Sequence, residues 1–198
     1  MSFERFTADN AAMLLIDHQV GTMSWVKSIP FDEMKRNALM LAKAAAILGL
    51  PVVMTSSMEA FAQGPLLPEL EAILPAAFEA RVRRAGVVNA MDDPRFAAAV
   101  EATGRRRIVI AGVTNDVCTV FPALSLVWRG YDVQVVADAG GSPSAMGDDM
   151  ALRRMERGGV TLTSTNQVIA ELAGDWSTPA GGRIVQEVVM PALSGSTG

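Results

Sequence analysis

RIVIAGVTNDVCTVFPALSLVWRGYDVQVVA, residues 107–137, sets two short apolar runs on either side of one helical pattern. RIVIAG and DVQVVA are too short for helices and rich in β-branched residues, as strands buried on both faces of a sheet should be. Between them Asn115 and Asp116 are placed to cap a helix, Pro122 falls in or near its first turns, where it is tolerated, and Gly130 marks its end. A tight hairpin cannot join parallel neighbours. Strand, helix, strand at this spacing therefore predicts a right-handed crossover in a parallel sheet.

The alternation continues toward both ends. AAMLLID, residues 11–17, predicts a first strand, and Pro30 precedes FDEMKRNALMLAKAAAIL, a helix with acids in its first turn and Gly49 at its stop. PVVMTS predicts a second strand. A Pro-rich connection through Gly64, Pro65 and Pro68 holds a short helical piece, PELEAIL, before a third strand expected at residues 78–84. Asp93 and Pro94 open the helix PRFAAAVEAT, which Gly104 closes. Beyond residue 137, a loop with Gly140, Gly141 and Pro143 leads to a helix over 148–157, a strand over 160–164 and a helix over 166–173, and the tail after Gly174 reads as irregular. The expectation is one α/β domain over residues 1–198, with its core at about 11–173 and a C-terminal tail at 174–198. Its architecture is three-layered αβα: a doubly wound, Rossmann-like, mostly parallel sheet of five or six strands in the order 3-2-1-4-5-6.

Half of the 198 residues are hydrophobic and 19% are charged, with a mean hydropathy of +0.27. That is enough to cover a sheet on both faces and apolar enough to favour a homo-oligomer. A net charge of -4 and a pI near 5.0 give no footprint for nucleic acid or an anionic membrane, and the basic runs at 81–84 and 105–107 are too short to serve as one. No apolar stretch approaches the roughly 20 residues that cross a bilayer. A single cysteine excludes an intrachain disulfide, and Met1 to Asn10 lacks the features of a secretory signal, so a cytoplasmic protein is expected.

In such sheets ligands bind at the carboxyl ends of the strands, where the order reverses between the first and fourth. Asp17 closes the first strand and Cys118 lies in the turn after the fourth, so a carboxylate and the only thiol meet across one crevice. A thiol in the first turn of a helix feels the positive end of the macrodipole, which favours thiolate, and nearby N–H groups can receive an oxyanion. Nucleophilic acyl transfer is the chemistry this pairing points to. The plain alternative is a lone cysteine serving as a small buried hydrophobe. His18 should face away from the crevice, because adjacent strand residues point to opposite sides, and is read as structural; as the only histidine it argues against a metal centre. DHQVGT stands where a nucleotide or flavin binder would carry G-x-G-x-x-G, and a noncatalytic redox-sensing thiol stays open beside the enzyme reading.

IDHQVG, GPLLPEL, NAMDD and above all IAGVTNDVCTVFPALSLVWRGYDVQVVADAGGS resemble the isochorismatase-like superfamily of cysteine hydrolases, nearest to its YcaC-like subgroup, over roughly residues 11–173. The resemblance implies an amidohydrolase that cleaves a C–N bond of a small molecule through a thioester, without metal or cofactor. It implies a triad of Cys118 as nucleophile, Asp17 as acid and base, and a cation that is lysine in most of the superfamily. This chain offers RAGVVNAM instead, which makes Arg84 the candidate, with Arg83 and Arg81 as alternatives. Arginine keeps its proton, so its part would be to orient the carboxylate. The resemblance further implies a cis peptide between Val113 and Thr114, an oxyanion hole from the Thr114 and Cys118 N–H groups, and a homo-oligomer that could be an octamer. Phe61, Gln63, Asn89 and Phe121, on loops above the crevice, are candidate pocket residues. Nicotinamidases of the superfamily bind metal through an aspartate and several histidines, and vinyl-ether-cleaving isochorismatases lack the cysteine, so neither pattern is met. Fold and triad leave the substrate open.

Overall fold

Six consecutive apolar residues make β1 (Ala11–Ile16) a strand covered on both faces. In the computed structural model, which describes residues 4–194, none of the six is more than 1% exposed. The expectations for residues 1–3 and for the final GSTG lie outside the described residues. β1 pairs in parallel with β2 (Val52–Ser57) on one side and β4 (Arg107–Gly112) on the other. β3 (Val82–Arg84) lies outside β2, while β5 (Asp132–Val136) and β6 (Thr161–Thr163) extend the opposite edge. The result is a six-stranded parallel sheet in the order 3-2-1-4-5-6.

Helices cover both faces: α1 (Val20–Ser24), α2 (Phe31–Leu48), α3 (Pro68–Ile73), α4 (Pro75–Glu79), α5 (Pro94–Ala102), α6 (Val120–Trp128), α7 (Ala145–Arg157), α8 (Thr165–Ala173), α9 (Pro179–Ile184) and α10 (Met190–Ser194). Alternate strand residues feed two cores. Met13, Leu15, Val109 and Ala111 pack with α2 and α8, and Leu14, Ile16, Ile108 and Ile110 pack with α5, α6 and α7. Each such side chain contributes about 1.5–3 kcal/mol on burial, so the two layers hold the sheet whose carboxyl ends carry the site. Among the described residues no helix is long and apolar enough to cross a membrane.

Three elements differ from expectation. The third strand is only Val82–Arg84, because Pro75 starts a separate helix, α4, that takes in Phe78. The helix after β4 has Thr114 at its N-cap and opens with a wide π turn over Asn115–Thr119. Asn115 does not cap it; its buried amide donates to Ala137 O at 3.2 Å and Asp148 Oδ1 at 3.1 Å, tying the turn to the next loop. From Pro179 to Ser194 the tail is helical, not irregular. Gly181 and Gly182 argue locally against a helix, but Thr178 caps α9, Pro179 starts it, and Ile184 and Val188 are buried in the α2 and α8 core.

Candidate active site

β1 ends one residue early. Asp17 has a left-handed backbone with φ 56, while its N–H still bonds Thr55 O on β2 at 2.9 Å. The next two residues lock this turn from below. His18 is fully buried with Nε2 2.9 Å from Ala139 O, and Gln19 accepts from Ser57 N at 2.8 Å and donates to Ser57 O and Gly64 O. Burial lowers the His18 pKa to about 4, so the ring is neutral and structural, as expected. It is held away by the turn rather than by strand alternation.

Arg84 ends β3 on the same lip and is 3% exposed. Its Nη2 donates to Asp17 Oδ2, Nε donates to Thr55 Oγ1 at 3.0 Å, and Nη1 donates to Val87 O. The Thr55 hydroxyl donates onward to Val82 O at 2.7 Å, which leaves its lone pair for Arg84. Arg81 and Arg83 pair with Glu59 instead, Arg81 covered against the Phe78 ring and Arg83 exposed. Of the three arginines, Arg84 is the one brought to Asp17.

Cys118 comes from the π turn after β4, a segment fastened at several points. Asn115 N bonds Gly141 O at 2.7 Å, Asp116 N bonds Ser142 Oγ at 3.2 Å, and Ser142 Oγ donates to Asp148 Oδ1 at 2.7 Å. A Cβ on Gly140 would lie 2.3 Å from Gly112 O and 2.4 Å from Asn115 Oδ1, so this close approach requires glycine. The Val113–Thr114 peptide is cis. The Thr114 N–H is directed at the Cys118 sulfur, and the Thr114 carbonyl receives the N–H groups of Val117 and Thr119, on either side of the cysteine.

The Asp17 carboxyl and the Cys118 thiol interact directly. Burial pushes the carboxyl above its usual range, opposed by the Arg84 charge and hydrogen bond and by the thiol. Burial, followed by the Asp17 charge, pushes the thiol up to about 12, against the pull of Arg84 and the Thr114 N–H. Desolvation and the neighbouring carboxylate thus oppose the pull toward thiolate expected of a helix start. With Asp17 Oδ2 on Arg84, Asp17 Oδ1 is left buried without a hydrogen-bond partner.

A cavity of about 290 Å³ opens above Asp17, Arg84 and Cys118, with Trp25, Met58, Val87, Val88, Val117 and Pro143 in its wall. Gln63 lines it as expected, but the other three candidate pocket residues do not. Phe61 is 66% exposed; Asn89 caps the turn at Ala90–Asp92 and donates to Ser125 Oγ at 2.9 Å; Phe121 lies under the Arg154 guanidinium at 5.4 Å. Trp25, Val87 and Val88 were missed, although apolar residues on short loops just after Asp17 and Arg84 were the available signal. A larger depression of about 500 Å³ at the amino ends of β4 and β5, lined by Arg107, Asp132, Gln134 and Glu171, contains no thiol. Among the described residues no group of three or more His, Cys, Asp or Glu side chains is placed to hold a metal ion.

Residues 11–167 match the isochorismatase domain. The chain is 40% identical over 174 residues to "Probable hydrolase YcaC" of Escherichia coli, covering 88% of this chain and 83% of that protein. It superposes on YcaC from Pseudomonas aeruginosa, solved with hexane-2,5-diol and covalent acrylamide, with a TM-score of 0.91, 38% identity and coverage of 98% and 96% of the two chains. The Escherichia coli YcaC structure, described as an octameric hydrolase of unknown specificity, also gives a TM-score of 0.91 at 38% identity, covering 98% of this chain and 95% of that one.

Proposed function

Because the chain belongs to the isochorismatase domain family, we propose that it is a cysteine-dependent hydrolase that cleaves an amide-type C–N bond of a small molecule through a thioester. The observation that carries this reading is the half-buried Cys118 thiol set beside the buried Asp17 carboxyl, whose counterion is Arg84. A thiol held up to about 12 attacks only if its proton leaves as the bond forms, and Asp17 is the group that takes it.

In the first half-reaction, sulfur bonds to the carbonyl carbon, the thiol proton passes to Asp17, and the oxyanion is received by the Thr114 and Cys118 N–H groups. Asp17 then gives that proton to the departing nitrogen as the C–N bond breaks, leaving a thioester. In the second, Asp17 takes a proton from water as its oxygen attacks, and returns it to the sulfur when the acid leaves. Arg84 orients Asp17 throughout.

The covalent acrylamide on the Pseudomonas relative fits a site that adds a soft nucleophile to an amide-bearing electrophile. The octameric Escherichia coli relative supports a homo-oligomer here. A redox-sensing thiol needs a standing thiolate, which the raised thiol disfavours.

The test is ammonia release from a panel of primary amides and carbamoyl compounds by the wild type and Cys118→Ala, with acid-quenched intact mass to catch the acyl-enzyme. Turnover lost in the variant, with an acyl group on Cys118, is the expected result. Turnover that survives Cys118→Ala overturns the nucleophile, and its absence from both proteins favours a noncatalytic thiol.

A further inference from the structure

The cavity wall is largely apolar, but its unmatched polar atoms are of one kind. Asp17 Oδ1, Thr22 Oγ1 and Asp116 Oδ1 are buried oxygens without a hydrogen-bond partner, and all three residues line the cavity. Thr22 is 4% exposed, so its hydroxyl has no bulk water to turn to. Buried polar groups are seldom left so; the two carboxylate oxygens accept and the Thr22 hydroxyl can accept as well as donate, so a ligand bearing hydrogen-bond donors would match all three.

The charges agree. Arg84 is the only cation in the wall, and Asp17 meets its charge. Asp116 takes part in none of the ion pairs among the described residues, and Lys27, close to it along the fold, is exposed and outside the lining. The cavity is thus left with one uncompensated negative charge. The amino end of α7 lies behind it, since a Cβ on Gly147 would be 3.3 Å from Asp116 Oδ2; that dipole steadies a carboxylate without neutralising it.

Asp116 and Trp25 flank the same turn. Asp116 N is fixed on Ser142 Oγ, Ser142 O receives the N–H groups of Lys27 at 2.9 Å and Ser28 at 3.1 Å, and Pro143 completes the wall between them. Trp25 is 42% exposed, at the mouth. A carboxylate and an indole that line one cavity can together receive organic cations and repel acids.

Building on the cysteine-hydrolase reading, we propose that the preferred substrates are small carbonyl compounds, amides first, that carry a positively charged nitrogen remote from the scissile carbonyl, with Asp116 as the specificity-determining residue. Thr22 and Trp25 complete the seat of that cation. A substrate bearing a carboxylate there would meet Asp116 and the charge that develops on sulfur during attack.

The test uses three alkylating probes of Cys118 in the intact protein: cationic 2-bromoethylamine, neutral iodoacetamide and anionic iodoacetate. Each rate constant is divided by that of the same reagent with a small free thiol at the same pH. A change in thiolate fraction multiplies all three alike, so their ratios report charge recognition. The cation is expected to exceed iodoacetamide, and iodoacetamide to exceed iodoacetate, each by about tenfold or more, equivalent to about 1.4 kcal/mol. Asp116→Asn should collapse both ratios toward one, while Asp9→Asn, at an exposed position elsewhere, leaves them in place. Iodoacetate reacting as fast as iodoacetamide in the wild type overturns the proposal even if Asp116→Asn does not fold, as do ratios that survive Asp116→Asn. Failure of all three reagents to modify Cys118 removes the nucleophile itself, and the charge preference with it.

Discussion

Arg84 and Asp17 form an ion pair that solvent scarcely reaches, each side chain being 1% exposed. Such a pair contributes little net stability when intact, but losing one partner strands a charge in a dry place at a cost of about 3–5 kcal/mol. Arg84→Met is expected to lower the unfolding free energy by that order in urea melts. The double variant Asp17→Leu with Arg84→Met should recover most of the loss and still release no ammonia from any amide that the wild type hydrolyses. A single variant as stable as the wild type would show that the pair is not isolated from water.

The same carboxyl governs the thiol. Its charge holds the Cys118 thiol high, second only to burial. Asp17→Asn should therefore lower the apparent pKa seen in the pH dependence of Cys118 alkylation by iodoacetamide, because Arg84 is then the nearest charge. Amide hydrolysis should fall by about 10²–10⁴, the contribution typical of a general base. A more readily ionised thiol in a less active enzyme separates base catalysis from simple thiolate supply, and an unchanged alkylation profile would uncouple the two residues.

The residues that build the sheet were legible because β1 and β4 are unbroken apolar runs bounded by polar or glycine residues, and the order 3-2-1-4-5-6 then places Asp17 opposite Cys118. What burial decides was not legible. Three arginines in four positions look alike until Glu59 takes Arg81 and Arg83, leaving Arg84 to turn inward. The rise of the Cys118 pKa is not legible either, because a helix start is visible in sequence and desolvation is not. Phe61 and Phe121 have the right residue type but point elsewhere: Phe61 is on a loop, where facing has no periodicity to read, and Phe121 lies on α6 under Arg154.

The C-terminal helices bear on the core. Ile184 is fully buried and packs in the cluster shared by α2 and α8, although it lies well beyond β6. Ile184→Ala should cost about 2–5 kcal/mol, as large-to-small core changes do. Arg183→Ala, which removes only the exposed pairing to Glu187, should cost about 0–1 kcal/mol. Equal effects in thermal or urea melts would mean that the tail is not part of the cooperative unit.

His18 supplies an acid limit that is separate from Asp17 and Cys118. Its ring is fully buried, with Nε2 near Ala139 O and Nδ1 without a partner, and its pKa falls from 6.5 to about 4. Between those values the unfolded chain takes up a proton that the folded chain refuses, so stability is full above pH 6.5 and declines as pH drops toward 4, below which this group adds no further loss. At about 1.4 kcal/mol per unit the decline from this side chain is roughly 3 kcal/mol. His18→Gln should be less stable at pH 7, because it disturbs the Ala139 contact, yet show a flatter loss of unfolding free energy between pH 6.5 and 4.5 in denaturant titrations. An acid limb as steep in the variant as in the wild type would assign that loss to carboxylates such as Glu59, whose pKa the Arg81 and Arg83 pairing lowers.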